Sequence, residues 1–159
     1  MFKFLGKLSD IVSSLAVAAI VIITILAVFM RWLLNDPLMW SEEVLIICYI
    51  WLVMIGAASA AGKRMHVSID AITSLFPEKI QLSIAVITHI MAIVALSIFG
   101  YLGYELSLIA EDKITPIIGV SYYYIDLSVP IGASIMVLFS IQHLLEDMSK
   151  LIKGDKPCQ

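Results

Sequence analysis

The sequence predicts an all-α integral membrane protein of four transmembrane helices, and three observations carry that prediction. Of its 159 residues 61% are hydrophobic and the mean hydropathy is +1.01, well above the ~45–50% apolar content of soluble domains. The apolar residues fall into four runs of spanning length. The Lys and Arg residues gather on alternate sides of those runs, as the positive-inside rule requires of a membrane chain. The net charge is −3 with no basic face, which argues against nucleic acid as a partner. Cys48 lies in an apolar run and Cys158 in the polar tail, so neither a disulfide nor a metal pattern is present.

A helix crosses the hydrocarbon with about 20 mostly apolar residues, satisfying its own backbone polar groups where lipid cannot. Residues 11–34, 44–61, 80–109 and 125–145 supply four such spans, the last with Pro130 near its start. Lys3 and Lys7 ahead of the first span resemble a signal peptide. Its apolar core, however, exceeds the ~7–15 residues of a secretory h-region, and no small-residue cleavage pattern follows, so an uncleaved anchor is expected. Lys3, Lys7, Lys63, Arg64, Lys79, Lys150, Lys153 and Lys156 fall on one side, against Arg31 and Lys113 on the other. Both termini are therefore expected in the cytoplasm, with Trp32, Trp40 and Tyr122 to Tyr124 as an aromatic belt at the outer interface. Two short amphipathic helices are expected to lie along the membrane. One begins at the N-terminus, where Phe2, Phe4, Leu5 and Leu8 alternate with Lys3 and Lys7. The other covers residues 67–76, with Ile69, Ile72 and Phe76 on one face. Pro77 and Glu78 suit the first turn of the following span. No internal repeat or long linker divides the chain, which reads as one domain.

Ser41 followed by Glu42 and Glu43 resembles a helix start, with carboxylates at the positive end of the helix dipole. Arg31 lies about five residues short of the preceding turn, roughly 8 Å below it at ~1.5 Å per residue. A cation at that depth needs snorkelling or a partner. Glu42 and Glu43 return to a similar depth, and Glu105 approaches it on the third span beside Tyr101 and Tyr104. Arg31, Glu42, Glu43 and Glu105 thus form either an ion or substrate site or a structural ion-pair cluster. The second fits better, because the charges neutralise one another and none reaches mid-membrane.

His66 and Asp70 are four apart and share a helical face. With Lys63 and Arg64 they suit ordering of a cytoplasmic loop or contact with lipid phosphate, and they are too few to hold a metal. His89 and His143 raise a second functional reading, a redox-complex membrane anchor with haem between them. Counted from the cytoplasmic ends they sit about nine and about three or four residues deep. That mismatch is roughly 8 Å, awkward for two axial ligands of one iron. Gly56 and Ala60, Ala57 and Ala61, and Ser128 and Gly132 follow small-xxx-small spacing, which lets helix backbones approach within the chain or against another subunit. Trp51 falls mid-span, which suggests burial against protein. No nucleophile stands beside a base, so an enzyme is not expected. The paired, broken half-helices of a transport site are missing too, so an autonomous transporter, the third reading, has little to work with.

Taken together, three stretches resemble the small permease (Q-type) subunit of TRAP transporters, the tripartite ATP-independent periplasmic transporters. Phe29, Met30, Arg31 and Trp32 through Trp40, Ser41, Glu42 and Glu43 look like that family's arginine, aromatic, then W-x-E-E pattern. His66, Val67, Ser68, Ile69 and Asp70 are similar to its H-[IV]-x-[IV]-D segment. Thr115 to Tyr122, followed by Val129, Pro130, Ile131 and Gly132, look like its outer loop and P-[IL]-G entry to span four, with Tyr122 where a tryptophan is expected. The resemblance implies a bacterial inner-membrane scaffold subunit beside a large (M-type) elevator subunit that holds the sodium and substrate sites, so that this chain needs no cofactor. It also implies a periplasmic binding protein that delivers an organic acid of the sialic acid or C4-dicarboxylate class. On that reading Trp51, Gly56, Ala60, Ser128 and Gly132 serve subunit packing, and Asp36, Glu111 and Asp112 lie where the binding protein docks.

Overall fold

The computed structural model describes residues 2–63 and 78–153. Helix α1 covers Phe2–Phe29 and runs into a π-helical turn, Met30–Leu34; α2 covers Met39–Gly62 and α3 Glu78–Ile109. After a loop come the short α4, Tyr122–Asp126, and α5, Ser128–Lys153. Four stretches are long and apolar enough to cross a membrane: Gly6–Leu34, Met39–Gly62, Ile80–Ile109 and Tyr122–Ser149. The expected four-span, all-helical architecture is what the chain adopts, and among the described residues the only strand-like pairing is an isolated bridge between Ile114 and Ser121.

The helices are longer than the apolar runs. The first span has no separate interfacial helix ahead of it, because α1 is continuous from Phe2. The expected amphipathic segment at 67–76 lies outside the described residues. Helix α2 starts two residues before Ser41, which therefore does not cap it. Leu38 is the N-cap residue, and the Ser41 hydroxyl donates back to the Leu38 carbonyl at 2.6 Å. Pro37 has no N–H to continue α1 and favours an extended neighbour, so the new helix begins as soon as the turn is complete. Asn35 closes the π-helical turn in the left-handed region at φ 55°, its N–H directed to the Met30 carbonyl, a conformation Asn tolerates better than most residues.

The four spans form an open row, α1–α2–α5–α3, in place of a closed bundle: α1 packs on α2, α2 on α5, and α5 on α3. Side-chain contacts fix the directions. Asp10 and Ser13 on α1 face Ser59 and Gly56 on α2, an antiparallel pair. On α2 and α5, Met54 meets Gly132 and Gly62 meets Phe139, a parallel pair. Val129 and Ala133 of α5 face Gly103 and Gly100 of α3, again antiparallel. The α2–α5 and α5–α3 seams each carry a glycine where a side chain would collide. A Cβ on Gly103 would sit 2.5 Å from Val129 Cγ1, and one on Gly132 would sit 2.9 Å from Met54 Cβ. Lipid offers helices no hydrophobic reason to associate, so such close approach supplies the packing.

The row has little interior. Met54, Ala58, Leu82, Ala110, Ile125, Ala133 and Phe139 are its buried apolar residues, whereas Leu15, Ile22, Ile25 and Val28 on α1 are each more than half exposed. In water that much bare apolar surface would aggregate; against lipid or another membrane subunit it is the expected finish.

Candidate functional site

At the end of the row that carries the α1–α2 turn, the chain builds one compact polar assembly, and Glu43 is its centre. Glu43 stands in the second turn of α2 and reaches across to the loop between α3 and α4. Its Oε1 accepts from the Ile117 N–H at 2.9 Å and its Oε2 from the Ile118 N–H at 2.8 Å. The loop is already folded on itself. Thr115 N–H donates to the Val120 carbonyl at 2.9 Å, and the Val120 N–H donates to the Thr115 hydroxyl at 3.0 Å. Gly119 turns at φ 75°, a conformation glycine adopts without steric cost. Ser121 donates to the Glu111 carbonyl at 2.8 Å and accepts the Tyr123 N–H at 3.2 Å, capping α4. Paired N–H groups facing a carboxylate make charge-assisted bonds, the stronger class. Glu43 thereby fastens the α3–α4 loop over the head of α2.

This differs from the expected ion-pair cluster. Among the described residues no ion pair joins Arg31 to Glu42, Glu43 or Glu105. The row order gives the reason: α1 and α3 occupy its opposite edges, so Arg31 and Glu105 cannot meet within one chain. Glu105 instead accepts a hydrogen bond from Tyr101 at 2.7 Å, one turn away on the same helix. Glu42 lies in the first turn of α2, where its charge favours the dipole, and is exposed. Asp36, Glu111 and Asp112 are all exposed at this same end.

The opposite end holds two polar contacts across the seams. Asp10 on α1 binds Lys63 just past α2 at 2.7 Å and also accepts from the Ser59 hydroxyl. Lys63 is therefore engaged inside the chain, while its expected companions Arg64, His66 and Asp70 lie outside the described residues. His143 Nε2 lies 3.2 Å from the Ala61 carbonyl in the last turn of α2, where carbonyls lack their full set of helical partners. His89 Nε2 lies 3.5 Å from Oδ2 of the buried Asp147.

The two histidines are not offset by roughly 8 Å, as counting from the expected span ends implies. Their rings are neighbours, with centroids 5.8 Å apart and planes tilted by 35°. Helix α5 continues to Lys153 and does not end near Leu145, which places His143 level with His89. Their Nε2 atoms point to Ala61 and to Asp147 and not to a common centre, so the pair serves as packing and hydrogen bonding between α2, α3 and α5. Replacing His143 with Phe keeps an aromatic ring, one atom larger, and removes the donor. We expect it to cost about 1–3 kcal/mol, read as an earlier midpoint when the purified protein is unfolded by titrating dodecyl sulfate into detergent.

The small-residue positions divide between seams inside the chain. Ser128 and Gly132 are buried, and Gly132 lies against Met54 of α2. Gly56 faces α1, where a Cβ added to it would lie 3.9 Å from the Ser13 hydroxyl. Ala60 and Trp51 are half-buried, the latter with part of its indole uncovered. Gly100 and Gly103, which sequence reasoning passed over, make the closest approaches on α3. Their three-residue spacing on one face was the available signal.

An open row of four spanning helices with a clamped loop at one end, bare apolar faces and, among the described residues, no acid or base converging at mid-membrane defines a multi-pass membrane subunit built to lie against something else. The family model described as tripartite ATP-independent periplasmic transporters, DctQ component, matches residues 20–150. The chain belongs to that family, which is one of transporter components and not of enzymes. It is 27% identical over 152 residues to the sialic acid TRAP transporter small permease protein SiaQ of Vibrio cholerae, covering 96% of this chain and 87% of that protein. It is 29% identical over 140 residues to the sialic acid TRAP transporter permease protein SiaT of Haemophilus influenzae, covering 88% of this chain and 23% of that longer polypeptide. To the C4-dicarboxylate TRAP transporter small permease protein DctQ of Vibrio cholerae it is 25% identical over 84 residues, half of this chain and 36% of that one.

Proposed function

We propose that this chain is the small scaffold subunit of a TRAP transporter in a bacterial inner membrane. It works beside a large membrane subunit that carries the sodium and substrate sites and moves them as an elevator, and with a periplasmic protein that delivers an organic acid. The observation that carries this reading is the open row: a slab with two broad apolar faces has one to offer lipid and one to offer a larger subunit. The longer Haemophilus influenzae permease, in which a sequence like this one makes up 23% of the polypeptide, is the covalent form that such an obligate partnership would take. Both termini lie in the cytoplasm on this reading, because Lys3, Lys7, Lys63 and Lys150 gather there. The clamped loop then faces the periplasm, where Asp36, Glu111 and Asp112 meet the binding protein. The solute is a carboxylate of the sialic acid or C4-dicarboxylate class, the two that the relatives' names supply.

The test is a gentle detergent pull-down of the tagged chain from native membranes, with mass spectrometry of what accompanies it. A much larger multi-span protein in near-equal amount is expected; recovery of the chain alone, or with a redox enzyme, overturns the reading. Reversing the charges at Asp36, Glu111 and Asp112 together should slow binding-protein-dependent uptake in vesicles while leaving that co-purification intact. Unchanged uptake would remove these three residues from the docking surface.

A further inference from the structure

The loop between α3 and α4 lies outside the spans, which stop at Ile109 and resume at Tyr122, yet its tip is apolar. Pro116, Ile117 and Ile118 are all exposed there, the two isoleucines to 51% and 39%. Surface loops commonly leave backbone N–H groups to water, and this one does not. From Thr115 to Val120 every N–H is bonded within the chain. Thr115 donates to the Val120 carbonyl, Gly119 to the Thr115 carbonyl at 3.1 Å, and Val120 to the Thr115 hydroxyl. Ile117 and Ile118 donate to Glu43, and Pro116 has no N–H. A partner that covers the tip therefore removes water from isoleucine side chains without stranding a backbone donor, the loss that makes covering most loops costly. The clamp also fixes the tip beforehand, so little conformational freedom remains to be lost on docking.

We infer that this tip is the anchor on which a periplasmic protein docks, through an apolar hollow ringed by Lys or Arg. On the scaffold reading, on which the inference rests, that protein is the one that delivers the substrate. Charge decides against lipid as the occupant. An apolar anchor for phosphate headgroups is flanked by cations, whereas this end exposes Asp36, Glu42, Glu111 and Asp112 against Arg31 and Lys113. Position decides for a partner that arrives from the water. Glu43 holds the tip over the head of α2, an inner member of the row, whereas a neighbour within the membrane lies against a face or an edge. The division of labour is that of a protein interface: a desolvated apolar centre holds the partner, and a charged rim steers it in. Ile117 and Ile118 thus set the lifetime of the complex, and Glu111 and Asp112 the rate at which it forms.

The test uses the complete transporter in proteoliposomes, with the binding protein titrated on the loop side. Ile117→Ser with Ile118→Ser leaves the backbone N–H groups, and so the clamp, in place. This double variant should raise the half-saturating concentration of binding protein about tenfold, the ratio that losing part of two buried isoleucines supplies. Maximal uptake and the retained large subunit should not change. Glu111→Gln with Asp112→Asn should instead slow association and flatten its dependence on salt, with dissociation nearly as before. In a second assay a sulfonated maleimide is applied to the Ile117→Cys complex, and label at residue 117 is read by mass spectrometry. Label is expected in the absence of the binding protein and severalfold less in its presence. Unchanged half-saturation in the isoleucine variant, with residues 110–121 as resistant to protease as in the wild type, overturns the anchor. A residue 117 that stays unlabelled without the binding protein lies in lipid or under the large subunit, and overturns it too. Wild-type uptake that needs no binding protein overturns the scaffold reading and this inference together, an outcome seen before any variant is made.

Discussion

Glu43→Ala is expected to free the α3–α4 loop and to separate loop order from helix packing. Both oxygens of that carboxylate are occupied by the Ile117 and Ile118 amides, and no other side chain among the described residues bonds those two N–H groups. The remaining loop bonds, such as Thr115 to Val120, are internal and do not attach it to α2. Limited proteolysis of the purified complex should therefore cut within residues 110–121 roughly tenfold faster, because cleavage follows the population of the opened loop. Glu43→Gln keeps one acceptor without the charge and should fall between the two. The spans themselves should remain assembled, since the seams below Glu43 do not depend on it. If the binding protein docks on this loop, uptake falls while the large subunit still co-purifies. An unchanged digestion pattern would show that the loop is held by something other than Glu43.

The second large effect is expected at the glycines of the seams. Gly132→Ala places a methyl 2.9 Å from Met54 Cβ and 3.1 Å from the Met54 carbonyl oxygen. The carbonyl belongs to the backbone of α2, so the helix itself must move. Gly103→Ala meets Val129 Cγ1 at 2.5 Å, and a β-branched valine in a helix has almost no second rotamer to escape into. Each change should destabilise the chain by about 1–3 kcal/mol. Because they lie on different seams, α2–α5 and α5–α3, the two should add approximately in the double variant. Unfolding by dodecyl sulfate titration measures both. Gly6→Ala provides the control: nothing lies within 4 Å of its added Cβ, and in a helix the change should be neutral or stabilising by up to ~1 kcal/mol. A Gly132→Ala chain as stable as the wild type would mean that α2 and α5 are not held at this distance in the membrane.

How far the sequence reveals this chain depends on which physical quantity each feature reflects. The spans are set by transfer into hydrocarbon, a property summed over about 20 residues, and composition shows them plainly. Helix ends are set by single residues and are harder to see. Glu146 and Asp147 look like the polar edge of the fourth span, yet Asp147 is buried and faces His89, so α5 runs on to Lys153 and the two histidines come level. The order of the row is not written in hydropathy: small and polar residues such as Ser59, Ser128 and His143 mark a protein-facing side, but not which helix it meets. Without that order, Arg31 and Glu105 look like partners when they stand on opposite edges. Glu43 was legible as a functional acid of this end, but its partners were not. Backbone amides 74 and 75 residues away along the chain carry no side-chain signature. The Thr115, Pro116 and Gly119 turn residues announce only that a tight loop exists.

An open row of rods also has a mechanical character that a closed bundle lacks. Pivoting one helix around its neighbour, with the glycine contacts kept as the hinge line, meets no third helix packed behind the seam. Sliding a helix along its neighbour is different: it must break Asp10 from Lys63, His143 from Ala61 or His89 from Asp147, and Glu43 from its loop. The sheet of helices is thus compliant to curling, like a hinged screen, and stiff to vertical shear. On the proposed reading, such a row can follow the curvature of the large subunit while resisting, along its whole height, the load of a part that moves across the membrane beside it.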